Sequence, residues 1–379
     1  MHEEASRRLR VCTILHESAL LGAGLVVARV MPALRALGCD VTVLLPQEGP
    51  IRSELIDCEV SVLEPARPLG VSLHGWREPP GLLPRLRQTR GYLAGLRAAL
   101  HACAPDVVHV NSLHALIEGV LARRCGFPVV LHAHEISSPG PKRAGAIRVA
   151  AAVADQVVAV SNSVAALYAG AVAPDRLTTV YNGVAPRERI VVADGQLRVG
   201  SIGTVCRRKG TDVLVEAARI VRAARPEIEF EHLGPSGLPN EREFEARLRA
   251  LRGARDDVAF LGAGSSAAAL ERWSIFALPS REEGFPLASL EAMAGGLPVV
   301  ASDIAALREQ IGNGETGVLI PVGDADALAR AILGLAEDPA RRMTLGDAAR
   351  SHVRAMFTYE RQAAGLNAAY LAALARRAA

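Results

Sequence analysis

The chain has 379 residues, half of them hydrophobic and only 4% aromatic, which is long enough for two ordinary domains with aliphatic cores. Its 43 basic and 40 acidic residues leave a net charge of +3, a balance that argues against nucleic acid as the main partner, since that needs a concentrated basic face. Six cysteines stand singly with no C-x-x-C, so neither a zinc site nor a disulfide framework is suggested, and buried free thiols in a reducing compartment are expected.

The opening MHEEASRRLRVCTILHE sets basic residues before an apolar run that stops at Leu15, too short for a signal peptide. No stretch approaches a membrane span, so a soluble, cytoplasmic protein is expected. Arg10 to Leu15 reads as a strand. It leads into the glycine loop Gly22-Ala23-Gly24, a helix through Leu37 and a strand from Asp40 to Leu45, the opening of a doubly wound domain. A lone G-x-G is weak; its glycines equally suit a tight turn.

Residues 46–80 read as irregular and proline-rich. Arg85 to Cys103 is expected to be a helix with Arg85, Arg87, Arg90 and Arg97 on one face, either solvated or facing an anionic acceptor or membrane surface. Strands follow at Asp106 to Val110, Phe127 to Ala133, Gln156 to Val160 and Leu177 to Tyr181. Asn111 is expected to cap one intervening helix, and Ser161 or Ser163 another. Asn182-Gly183 closes this half as a turn, and residues 186–196 read as a linker.

The pattern then restarts. A strand from Arg198 to Ile202 meets Gly203 and the basic run Arg207-Arg208-Lys209, then a helix to Ala224. Further strands cover Ile228 to Leu233, Val258 to Leu261 and Ile275 to Leu278, with Gly262 and Ala263 after the second. Asp324 caps a helix from Ala325, and Leu366, Tyr370 and Leu374 mark one face of an amphipathic tail helix. Strands alternating with helices throughout imply parallel sheets, with ligands outside the strands' carboxyl ends.

The most informative stretch is PSREEGFPLASLEAMAGGLPVV, residues 279–300. Pro286 suits the first helical position and Gly295-Gly296 the helix end. The helix between is apolar nearly all round, as a buried helix is, yet carries Glu291. That carboxylate is either paired with a core arginine or bound to a polar ligand. Glu283 precedes it by eight residues, and the free amides of Leu287 and Ala288 favour an anion. Two carboxylates and a helix end together suit a nucleotide sugar.

EEGFPLASLEAMAGGLPVVASD, followed by GNGETGVLIPVGD, resembles the donor-site signature of retaining glycosyltransferases of family 4, with weaker similarity along the rest of the chain. The resemblance implies an α/β chain of the GT-B fold: two Rossmann-like, doubly wound parallel-sheet domains facing a cleft. The acceptor-side domain spans residues 1–185 and the donor domain residues 197–354, with a C-terminal helix over 355–379 crossing back onto the first. It implies transfer of a sugar from a UDP- or GDP-linked donor to a small-molecule, glycan or lipid-linked hydroxyl, without metal or other cofactor. The basic helix adds the expectation of a weak peripheral membrane contact. A GT-B sugar-nucleotide epimerase and a non-catalytic nucleotide-sugar-binding protein are the alternatives.

By the same resemblance, Glu291 binds ribose hydroxyls and Glu283 the transferred sugar. The backbone of Gly284, Phe285, Pro286, Leu287 and Ala288 covers sugar and phosphate, and Gly262 and Ala263 lie against the base. Lys209 holds the diphosphate beside Gly203. Thr204 stands where the family's arginine is usual, so either Arg207 or Arg208 is expected to replace its charge. Pro286, where many members have glycine, removes one amide donor. In the first domain His134 ends a strand and positions or polarises the reacting centre, while Gly22, Ala23 and Gly24 approach the diphosphate and acceptor. Glu135 and Asn182 are secondary candidates. His109, His114, His132 and His134 could be mistaken for a metal cluster, but no carboxylate or cysteine stands at ligand spacing.

Overall fold

The computed structural model describes residues 7–68, 82–135, 140–190, 195–237, 241–252 and 257–378. The chain divides into two compact units, Met1–Gly183 with Tyr359–Ala379, and Val184–Thr358.

The first unit begins with strand β1 (Leu9–Ile14), helix α1 (Gly22–Ala36), β2 (Cys39–Leu45), β3 (Glu59–Val62) and α2 (Leu82–Cys103). It continues through β4 (Val107–Asn111), α3 (Leu116–Arg124), β5 (Val129–Ala133), α4 (Pro141–Val153), β6 (Gln156–Ala159), α5 (Asn162–Tyr168) and β7 (Leu177–Thr179). All pairings are parallel, in the order β3-β2-β1-β4-β5-β6-β7. VVHVN, VVLHA and QVVA are buried along their whole length, as central parallel strands covered on both faces are. The chain steps one way along the sheet from β1 to β3 and the other way from β4 to β7. Right-handed crossovers therefore place α2, α3 and α4 on the face opposite α1.

The second unit holds β8 (Arg198–Ile202), α6 (Thr211–Ala224), β9 (Glu229–Leu233), α7 (Arg242–Arg252), β10 (Ala259–Gly262), α8 (Ser266–Leu270) and β11 (Ile275–Leu278). After these come α9 (Leu287–Ala294), β12 (Val299–Ser302), α10 (Ala305–Gln310), β13 (Val318–Ile320), α11 (Ala325–Glu337) and α12 (Pro339–Met356). Its parallel sheet has the order β10-β9-β8-β11-β12-β13. The last helix, α13 (Tyr359–Ala378), belongs to the first unit. There it buries Ala363, Leu366, Ala369, Tyr370 and Ala373 in one core with Val27, Met31 and Leu34 of α1. Ala355 and Met356, grouped with the tail by sequence, close α12 instead.

Strand order reverses between β1 and β4 in the first sheet and between β8 and β11 in the second. Such switch points leave a crevice at the strands' carboxyl ends. His16, Glu17 and Asn111 lie at the first, and Gly203 and the residues after Leu278 at the second.

The structure differs from the sequence reading at several points. Gly22, Ala23 and Gly24 form the first turn of α1 rather than a loop; nothing fills the space a Gly22 side chain would take, so that glycine answers to no steric need. Within the stretch read as irregular, EVSV forms the edge strand β3. Asn111 does not cap α3, which starts without a side-chain cap; Ser112 Oγ accepts from His114 N at the start of the short 3-10 turn before it. Ser161, rather than Ser163, accepts from Val164 N to cap α5. Pro286 is the extended N-cap of α9, one residue before its first turn. Residues 69–81, linker residues 191–194, Ala379 and the side chain of Arg85 lie outside the described residues.

Candidate active site

In the second unit the site is built on two loops. After β8, residues 203–210 turn into α6; after β11, residues 279–286 turn into α9. Gly210 brings the two together. Its φ is +67°, and a Cβ there would stand 1.9 Å from Pro279 O, so only glycine permits this approach. Arg281 locks the join. Its guanidinium donates to both carboxylate oxygens of Asp212 (2.7 and 2.8 Å) and to Arg207 O (2.8 Å), and its backbone N donates to Arg208 O (2.8 Å).

The result is a contact that the sequence did not reveal. Lys209 Nζ lies 2.6 Å from Glu283 Oε1, Ser280 Oγ donates to the same oxygen at 2.7 Å, and Arg208 Nη1 stands 3.6 Å from Oε2. Glu283 is only 5% exposed. Burial alone would push its carboxyl up, but Lys209, Arg208 and the hydrogen bonds from Lys209 and Ser280 hold it below the usual range. It is ionised at neutral pH. The expectation of a buried carboxylate on the apolar helix is corrected here: Glu291 is half-buried, whereas Glu283, before the helix, is buried. Leu290, Ala292, Met293 and Ala294 are buried, with Ser289 as the one polar side chain among them, while Glu291 is half-buried.

Helix α9 starts without a side-chain cap. The first N–H groups of a helix have no partner inside it, so the amides of the half-buried Leu287 and Ala288 are available to an anion. Gln310 Nε2 donates to Pro286 O at 3.0 Å, and Ser289 Oγ bonds Gln310 Oε1 at 2.5 Å, which fixes this end. Phe285 is buried against Phe357, leaving only its backbone for a ligand. Gly203 receives a hydrogen bond from His232 Nε2 at its carbonyl (2.8 Å). Arg207, Arg208 and Ala263 are exposed, and Thr204, Gly262, Gly284, Leu287 and Ala288 half-buried.

In the first unit, His134 follows β5 and is half-buried. Its Nε2 is 2.7 Å from Asn111 Oδ1, and Asn111 Nδ2 donates to Ala23 O at 3.0 Å. The carboxylate of Glu135 accepts from Ser112 Oγ, from Leu113 N (3.4 Å) and from His134 N (3.2 Å). Burial, with His109 and His16 nearby, pushes His134 down to about 3, so its ring is neutral. His109, His132 and His134 form a column of rings with centroids 5.2 and 4.1 Å apart, ended by Tyr370 OH 2.8 Å from His109 Nδ1. Among the described residues no group of three or more His, Cys, Asp or Glu could hold a metal ion. Asn182 is buried beside α13, where Gly183 N donates to Gln362 Oε1.

Beyond the expected residues, the structure adds His16, Glu17 and Arg67. Arg67 bonds Glu118 (2.6 Å), His114 O (2.6 Å) and His16 O (3.4 Å), clipping the ends of β1 and β4 together. Burial and then Glu135 push Glu17 up to about 7. A lone arginine 51 residues from its glutamate gives no sequence signal.

The family described as Glycosyl transferases group 1 matches residues 196–338, and Glycosyltransferase Family 4 matches residues 21–188. A lipopolysaccharide core biosynthesis mannosyltransferase, LpcC of Rhizobium leguminosarum bv. viciae, is 37% identical over 46% of this chain and 51% of its own. A D-inositol 3-phosphate glycosyltransferase of Stackebrandtia nassauensis is 32% identical over 79% of this chain and 71% of its own. The first two relatives are matched over only about half their length. Anabaena Alr3699/HepE in complex with UDP-glucose superposes with a TM-score of 0.78 at 20% identity, covering 95% of this chain and all of that one. Sucrose-phosphate synthase from Thermosynechococcus elongatus gives 0.76 at 23% identity, covering 97% of this chain and all of that one.

Proposed function

Because this chain belongs to the group 1, family 4 glycosyltransferases and has their GT-B fold, we propose that it transfers a sugar from a nucleoside-diphosphate donor to a hydroxyl acceptor with retention of anomeric configuration. The observation that carries the donor half is the Lys209–Glu283 pair at the second sheet's switch point, next to the uncapped start of α9. As the sugar C1–O bond breaks, negative charge grows on the departing diphosphate. Lys209, Arg208 and the α9 amides are fixed dipoles and charges of the sign that this requires. Glu283 keeps the ammonium of Lys209 oriented, and the half-buried Glu291 of α9 meets the ribose hydroxyls. The neutral His134 positions substrate at the reacting carbon and does not serve as a covalent nucleophile.

These cations supply the charge that a divalent ion supplies elsewhere, so transfer is proposed to be metal-independent. UDP is the first donor nucleotide to try, because the HepE structure holds UDP-glucose. The acceptor is a small-molecule, glycan or lipid-linked hydroxyl, in keeping with the lipopolysaccharide and inositol-phosphate relatives. Work would take place in the cytoplasm. The test is release of nucleoside diphosphate from a panel of UDP- and GDP-sugars, with and without acceptor extracts and EDTA. Acceptor-dependent release that survives EDTA is expected. Loss on chelation with recovery in magnesium or manganese would overturn metal independence, and conversion of free donor without acceptor would mark an epimerase instead.

A further inference from the structure

We propose that Asn111 is a positioning residue that locks His134 as the Nε2–H tautomer, so that the ring offers its other nitrogen, Nδ1, as an acceptor for a substrate hydroxyl. The inference rests on the glycosyl-transfer reading above and extends it to a residue outside the resemblance. Asn111 is the last residue of β4 and fully buried. An amide side chain can be turned either way, and only its partners decide. One partner here is Ala23 O, a carbonyl that can only accept, 3.0 Å away. The NH2 group must face it, which turns Oδ1 toward His134 Nε2 at 2.7 Å. An amide oxygen also only accepts, so Nε2 carries the proton. The ring is neutral, so Nδ1 holds a lone pair.

Two consequences follow. His134 accepts a hydrogen bond at Nδ1, which suits a sugar hydroxyl and not a phosphate oxygen. The same amide also ties the ring to the first turn of α1, so the position of His134 is set by the helix start that the resemblance gives to the diphosphate and acceptor. A second histidine depends on the same residue: His16 Nδ1 is 3.3 Å from the backbone carbonyl of Asn111, which fixes its proton on Nδ1.

The test is imidazole nitrogen NMR on the full-length protein labelled with 15N-histidine, with His134 identified by the signal missing in His134→Gln. Wild type is expected to show a protonated Nε2 and an unprotonated Nδ1. In Asn111→Leu the constraint is gone. In the milder Asn111→Ser a hydroxyl can donate or accept, so it imposes neither form. Both variants are expected to give mixed tautomers, with kcat down at least tenfold and donor KM within twofold. A proton on Nδ1 in wild type, which needs no variant to fold, would overturn the proposal. So would an unchanged His134 signature in both variants, or an unchanged kcat in either. If wild type transfers no sugar from any nucleotide donor, the substrate role of His134 falls, while the ring measurement separately decides the tautomer.

Discussion

His109 and His132 are 1% and 0% exposed, and burial holds both rings far below the usual value near 6.5, His109 at about 3. Between those values the unfolded chain binds protons that the folded chain refuses. Stability is therefore full above about pH 6.5 and is lost as pH falls below it, for His109 down to about pH 3 at about 1.4 kcal/mol per pH unit, with His132 acting in the same direction. His132→Leu should remove one ring's share and flatten the acid limb, read as Tm of the first unit's transition between pH 7 and 4; an unchanged slope would refute this account. Carboxylates give a second contrast. Glu291→Gln should leave stability within about 1 kcal/mol while weakening donor or nucleoside-diphosphate binding at least tenfold. Glu283→Gln should cost about 1–3 kcal/mol, because a buried network loses its charge, and should lower turnover too. Calorimetry and melting curves separate the two, and a Glu291 variant that melts early but binds normally would sink its ribose role. The spacing of Glu283 and Glu291 was legible in the sequence, whereas which of them is buried was not. That depends on Lys209, 74 residues away in sequence, and on which side of α9 meets the core.

At the scale of elements, most strands could be read because VVHVN, VVLHA and IFAL are apolar runs bounded by turn residues. EVSV escaped because an edge strand with alternating half-exposed residues has no such run. The start of α1 was misread for a different reason: a G-x-G signals a turn, but here Leu25 N already bonds Leu21 O and the glycines are helical. Gly210 carries the element-level prediction. Alanine there must hold φ near +67° with its Cβ against Pro279 O. Left-handed strain alone costs of order 1–3 kcal/mol, and backbone cannot yield as a side-chain tip can. The two loops should part, separating Lys209 from Glu283. Gly210→Ala is thus expected to lower Tm and to raise donor Kd together, whereas an alanine at Gly22, with open space around it, should leave Tm unchanged. Wild-type donor binding by Gly210→Ala would show that the join between the loops is not needed.

For the whole molecule a net charge of +3 conceals an uneven distribution. Helices α2, α3 and α4 cover one face of the first sheet and contain a single acidic residue, Glu118, which is fully buried against Arg67. Arg87, Arg90, Arg97, Arg124, Lys142 and Arg148 on the same helices are exposed, with Ile117 and Val149 exposed among them. Solvated helix faces ordinarily mix both signs, and a layer with cations only attracts an anionic surface. Near a membrane each such residue contributes about 1 kcal/mol, and the attraction fades within a Debye length of about 8 Å at physiological salt. Among the described residues no helix is long and apolar enough to cross a bilayer. The protein should therefore cosediment with vesicles containing anionic lipid at low salt, release as salt rises, and ignore purely zwitterionic vesicles. Reversing Arg90, Arg97 and Arg124 to glutamate should abolish binding while leaving donor affinity intact, because the residues proposed to bind the donor lie in the other unit. Equal binding to zwitterionic vesicles, or retention by the triple variant, would mean that this layer is only a solvated face.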